Sequence, residues 1–491
     1  MSEGRSIGTL QAVRIAGPGA EYLADREPVD IFVDDGRIVD IAPTGALPGR
    51  GEVLDAGGGF AMPGLWDNHV HTMQWALAAE RQRLDDTASP AEAARRMATV
   101  EPLADGRRVG TGYRDALWTD ALTLDVLDAA TGDVPTYLIN ADVHSVWLNS
   151  AALRREGMSA VDGVVREDAA FEVSRRLNGV DEAHGDRAVR LAGERAAARG
   201  VTGLVDFEMA WNAEAWSRRM AGGRGAQRVE FAIYPADLER AIASGLHTGD
   251  ALDDTNGLVR VGPLKVISDG SLGTRTAACS QPYAGDRGNR GAMNVDPLLL
   301  VDLLTRATAA GLSAAVHAIG DLASASALDA FALAGATGTL EHAQLIRHTD
   351  IARMARLGVI ASIQPVHAVD DRDVADRLWR EQTALAYPMA SLRRAGVTLR
   401  FGSDAPVSPL DPWQGIAAAV TRTADERVAW NPVEAVSVDD ALRASVRSEV
   451  RPGEVADIVV LAADPAAASG EQLRRMPVQA TLLGGRLTYT A

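Results

Sequence analysis

Between residues 61 and 430 the chain repeatedly follows a short apolar, strand-like run with a helix-like one. The strand candidates are GLWDNHVH, RRVGTGY, VTGLVDFE, VEFAIYP, VGPLKVIS, LSAAVHAIG, TGTLEHAQL, GVIASIQPVH and VTLRFGSDAP, and helix-like runs such as 186–199, 296–310, 322–335 and 412–422 separate several of them. Repeated β-then-α order over this length predicts an α/β fold with a parallel (β/α)₈ barrel, a doubly wound open sheet being the alternative. Residues 76–185 carry more helix and loop than one barrel unit needs, so an insertion over the mouth is expected there.

The two ends read differently. IFVDDGRIVDIAP is a hairpin pattern with Asp35-Gly36 at its turn, and VQATLLGGRLTYT places two strand-like runs around Gly484-Gly485. Segments 1–60 and 431–491 are therefore expected to meet in one small β-sandwich beside the barrel.

Parallel barrels present their chemistry at the C-terminal ends of strands. Here the apolar runs stop on metal-ligand residue types: His69 and His71 end the first, Lys265 and Asp269 lie at or beyond another, His317 and His342 end two more, and Asp404 ends the last. Strand alternation puts the two imidazoles of DNHVH on one face, where both can grip one ion. One shared metal site is the economical reading. His317 and His342 can otherwise be satisfied core histidines, and Asp404 a helix N-cap.

Lys265 is the only lysine in a chain with 49 Lys plus Arg. A guanidinium stays charged, whereas a buried amine can be held neutral and take up carbon dioxide as a carbamate that bridges two cations. Composition narrows the classes further. A formal charge of −17 repels nucleic acid and anionic membrane, and the lone Cys279 excludes an internal disulfide or a multi-thiolate metal site. The amino terminus lacks a signal-like apolar core and no apolar run is long enough to span a bilayer, so the cytoplasm is the expected compartment.

PGLWDNHVH, HSVWLNSAAL, LKVISDGSLGTRTAACSQPY, VHAIGD, LEHAQ, SIQPVHAVDD and FGSDAPVSPLDPWQGI occur in that order over residues 63–416. Together they resemble the amidohydrolase superfamily, in the branch typified by N-substituted formamide deformylase and the YtcJ-like proteins. The resemblance implies a distorted barrel with a terminal β-sandwich and a metal-dependent hydrolase that cleaves an amide-type, non-peptide carbon–nitrogen bond of a small molecule. It also implies His69, His71, Lys265, His317, His342 and Asp404 as the metal site, with zinc as the expected ion, one or two in number, and Lys265 carboxylation left open. Asp404 would pass protons between the attacking water and the leaving nitrogen.

His144 matches a histidine near the branch's substrate pocket, and Arg275, Trp66 and His367 are candidate substrate contacts. Several tryptophans near the motifs suggest an aromatic wall for a largely apolar amide. Leu322 stands where the resemblance leads one to expect a basic residue. A superfamily deaminase, a cyclic-amide hydrolase and a non-catalytic regulatory protein are the alternative functions, and a homodimer stays open as the assembly.

Overall fold

The computed structural model describes residues 5–18 and 27–491. Eight strands form the central sheet: β1 (Leu65–Val70), β2 (Val201–Asp206), β3 (Arg228–Ile233), β4 (Val259–Ile267), β5 (Ala314–Ala318), β6 (Gly338–His342), β7 (Ile360–Ile363) and β8 (Leu399–Phe401). They neighbour one another in chain order and every pair is parallel. A parallel bridge between Val70 and Ala405 brings the chain beyond β8 back beside β1 and closes the barrel. The open-sheet alternative is thereby excluded.

Every residue of β1, β2 and β5 is buried, because helices cover the outside while side chains fill the inside. Leu264, Val316 and Leu340 pack outward with helix residues such as Leu304, Leu328 and Phe331. Alternation then turns their neighbours Lys265, His317 and Glu341 inward. Trp66, Val205, Phe207, Ala232 and Ala315 cluster together inside.

RRVGTGY does not belong to this barrel. It forms Arg108–Tyr113 in a separate five-stranded sheet whose other strands are Gln82–Arg83, Thr136–Asn140, Ser145–Leu148 and Val164–Arg166. The strand is well buried in this sheet, as a barrel strand would be, so burial of its run does not tell one sheet from the other.

The chain ends meet in a further sheet, ordered Arg486–Thr490, Val478–Leu483, Ile458–Leu461, Phe60–Pro63, Ile7–Ile15, Val29–Asp34 and Arg37–Pro43, with Glu52–Asp55 also beside Ile7–Ile15. Both glycine-bearing turns behave as the sequence suggests. Asp35 and Gly36 have φ of 44° and 72°, and Gly484 and Gly485 have 54° and 72°, the doubly positive pair of a tight hairpin. Arg228 at the start of β3 clasps the buried Asp457 of the terminal sheet through Nε at 2.6 Å, fixing sheet to barrel. No helix among the described residues is long and apolar enough to cross a membrane.

Candidate metal centre

The polar ends of β1, β4, β5, β6 and β8 converge. His69 and His71 have ring centroids 5.7 Å apart, His69 and His342 are 4.9 Å apart, and His317 and His342 are 4.5 Å apart. Lys265 Nζ lies 3.5 Å from His69 Nε2 and 4.2 Å from the Phe207 ring centre. Asp404 Oδ1 lies 3.5 Å from His69 Nε2 and 3.4 Å from His71 Nε2. Donor atoms of His69, His342 and Asp404 all fall within 4.8 Å of one another, a span one cation can bridge.

Backbone detail makes this convergence. Asp404 follows β8 with φ +57° and its N–H donates to His69 O at 2.7 Å, so the last strand's carboxylate is pinned to the first strand's histidine. Strict alternation would send His342 outward with Leu340. Left-handed φ of 70° at His342 and 46° at Ala343 breaks that alternation at the rim.

Neighbouring groups orient the rings. His69 Nδ1 meets Glu341 Oε2 at 2.6 Å, leaving Nε2 toward Lys265 and Asp404. His342 Nδ1 meets Gln364 Oε1 at 2.8 Å, and His317 Nε2 lies 3.2 Å from Gly270 O and 3.4 Å from Asp269 Oδ1. One ring nitrogen of each is therefore occupied and the other left over, the arrangement expected where outer partners aim histidines at a metal. Glu341, Gln364 and Asp269 were not anticipated as partners of these rings. Glu341 was readable in principle, since LEH places a carboxylate at the inward position of an apolar strand.

Burial sets the charge states. It drives the imidazoles of His69 and His342 well below their ordinary range and lowers His317 despite Asp269. Burial also brings the Lys265 amine down to about 8. For Asp404 burial opposes ionisation, but the proximity of His71, His367 and Lys265 outweighs it and holds the carboxyl below its usual range. Neutral imidazoles beside an ionised carboxylate form a suitable donor set for a divalent cation. Two buried atoms in the cluster, His71 Nδ1 and Asp404 Oδ1, have no hydrogen-bond partner, and unsatisfied buried polar atoms of this kind fit an absent cation and its ligands.

The cluster forms the floor of a cavity open to solvent and roofed by the separate sheet and the segment after β7. His144, buried, reaches the cavity from the roof, its Nδ1 2.9 Å from Glu167 Oε2. Although burial works against protonation, Glu167 more than offsets it and raises His144 above the ordinary imidazole range. Thr276 donates to Glu167 Oε1 at 2.6 Å, tying this pair to the loop after β4.

His367 also lines the cavity, with Nε2 4.0 Å from Asp404 Oδ2. Arg275 and Trp66 are not brought to it: Arg275 is exposed, and Trp66 packs inside the barrel against Gly203 with Arg447 4.1 Å over its ring. The anticipated aromatic wall does not form, since the lining holds no tryptophan and Phe171 is its one non-histidine aromatic ring. Large indoles such as Trp147, Trp216 and Trp413 are consumed as core. Leu322 is half-exposed, and the charge expected there comes instead from Arg347, whose Nε donates to Asp321 at 3.0 Å.

Comparison with known proteins agrees with this arrangement. Residues 52–489 match the model of the amidohydrolase family. The chain is 27% identical to the putative amidohydrolase YtcJ of Bacillus subtilis, covering 89% of this chain and 90% of that one. It is 26% identical to the N-substituted formamide deformylase of Arthrobacter pascens, covering 94% of each. Its fold is similar to that of an uncharacterized metal-dependent hydrolase from Pyrococcus horikoshii, with TM-score 0.78 and 23% identity over 94% of this chain and 99% of the other. With a family match over nearly its whole length, a closed parallel barrel and histidines gathered at its mouth, the chain belongs to the amidohydrolase family.

Proposed function

We propose that this protein hydrolyses an amide-type, non-peptide carbon–nitrogen bond of a small molecule at a divalent metal centre, with zinc the expected ion. The observation that carries the reading is the packing of His69, His342 and Asp404 within 4.8 Å of one another on the floor of a cavity. His69, His71, His317, His342 and Asp404 would hold the metal. Lys265 would join them as a carbamate, its amine adding to the carbon of carbon dioxide and losing a proton. Full burial beside His69 Nε2 supports that role.

A divalent cation bound there supplies an acidified water, of pKa about 7, and Lewis-acid polarisation of a carbonyl. The chain's own groups supply the remainder. Asp404 Oδ1 faces His69 and His71, while Oδ2 lies on the side of His342 and His367 and is placed to take a proton from the attacking water and return it to the leaving nitrogen. His144 lines the cavity with Nδ1 held by Glu167, and its other ring nitrogen would serve as the donor that stabilises charge on the carbonyl oxygen. The Arthrobacter pascens relative's name, N-substituted formamide deformylase, favours formamides as first candidates.

The test is turnover of a panel of N-formyl and N-acetyl amines by zinc-loaded protein. Amine release that stops on chelation and returns with zinc supports the reading. A metal-loaded protein inert to the whole panel counts against it.

A further inference from the structure

The cavity that holds the metal cluster is also lined by carboxylates outside that cluster. Asp115 and Asp142 reach it from the roof, and Asp370 and Asp371 from the segment after β7. Among the described lining residues the cations other than histidine are Lys265, on the floor, and Arg114, already paired with Asp370 at 2.9 Å. Asp142 is also occupied, accepting from the His144 N–H at 3.0 Å and the Ser271 hydroxyl at 2.7 Å. Two carboxylates keep an oxygen to spare. Asp115 accepts from Asn140 at 2.7 Å through Oδ1 alone, and Asp371 accepts from the Tyr387 hydroxyl at 2.8 Å through Oδ2 alone.

A second kind of observation points the same way. Gln344 lines this cavity at 4% exposure, and its side-chain Oε1 accepts no hydrogen bond. Gln344 and Asp371 are fixed by the same residue: Tyr387 donates its N–H to Gln344 O at 2.6 Å and its hydroxyl to Asp371. Carboxylate and amide oxygens with unused acceptor capacity suit a ligand with several N–H groups, and half-buried carboxylates gain from a further cation beside them. Burial raises the carboxyls of Asp371 and Asp115 above their usual range, so a cation would relieve both.

We propose that the amide substrate carries, besides the scissile amide, a cationic group, an ammonium or guanidinium, received by Asp115, Asp371 and Gln344. This rests on the amide-hydrolase reading and adds the substrate's charge and orientation to it. The metal residues would hold the carbonyl while the spare carboxylate oxygens of Asp115 and Asp371 take the positive group, which fixes the substrate's orientation. A neutral, apolar amide would leave the spare oxygens of Asp115 and Asp371 unused.

The test uses two probes of equal length, an N-formyl ω-aminoalkylamine and its ω-hydroxy counterpart, on zinc-loaded protein. Their binding is measured calorimetrically and their hydrolysis kinetically. The amino probe is expected to bind at least about tenfold more tightly, with the same preference in kcat/KM and a loss of that preference in high salt. In Asp371→Asn the ratio between the probes should fall toward one. Asp115→Asn gives the same reading from the opposite side if the first variant does not fold. Equal binding of the two probes, or a ratio that neither variant changes, overturns the proposal. Preferential binding of the amino probe with no hydrolysis of either would sustain the cation site while defeating the amide-hydrolase reading.

Discussion

Glu341 Oε2 sits 2.6 Å from His69 Nδ1, both side chains almost wholly buried and 272 residues apart in sequence. The carboxylate fixes which histidine nitrogen faces the centre. Replacing it in Glu341→Gln should leave the ligands in place but lower zinc affinity by about 10–100-fold. Competition with a chromophoric chelator reads this directly, and an unchanged affinity would mean that the ring is oriented by packing alone.

Lys265→Arg keeps a long side chain at this position but cannot form a carbamate. The expected outcome is at most one metal ion per chain by elemental analysis, with turnover largely lost. A fully metallated, active variant would remove Lys265 from the ligand set.

Asp404→Asn keeps an oxygen donor beside His69 and His71 but loses the group proposed to carry the proton. Zinc content should be retained while kcat falls by about 10²–10⁴-fold. If metal is lost in parallel with activity, the carboxylate acts mainly as a ligand.

Gly203 of β2 lies against the indole of Trp66, where an added Cβ would come within 2.1 Å of the ring. The ring is held between that backbone and the Arg447 guanidinium, so it has little room to move. Gly203→Ala should therefore cost about 1–3 kcal/mol, read as a lower urea midpoint at unchanged slope. The site lies beyond this contact, so zinc binding by the folded fraction should persist.

The barrel was legible because its strands are continuous apolar runs that each stop on a polar residue, and His69, His71, Lys265, His317, His342 and Asp404 could be read from that punctuation. RRVGTGY misled because a strand of the roof sheet is buried as thoroughly as one of the barrel. Partners such as Glu341 for His69 and Gln364 for His342 were hidden because they depend on ring rotation and cross-barrel closeness, which spacing along the chain does not encode. The tryptophans misled for a related reason: an aromatic near a motif in sequence can still face the core, as Trp147 does at 0% exposure.

The most direct measurement is an anomalous-scattering map from crystals of zinc-loaded protein. Strong density is expected among His69, His71, His342 and Asp404, with a second peak reached by Lys265 and His317. A map with no peak at the barrel mouth, or with zinc bound only elsewhere on the chain, would contradict the metal-centred reading.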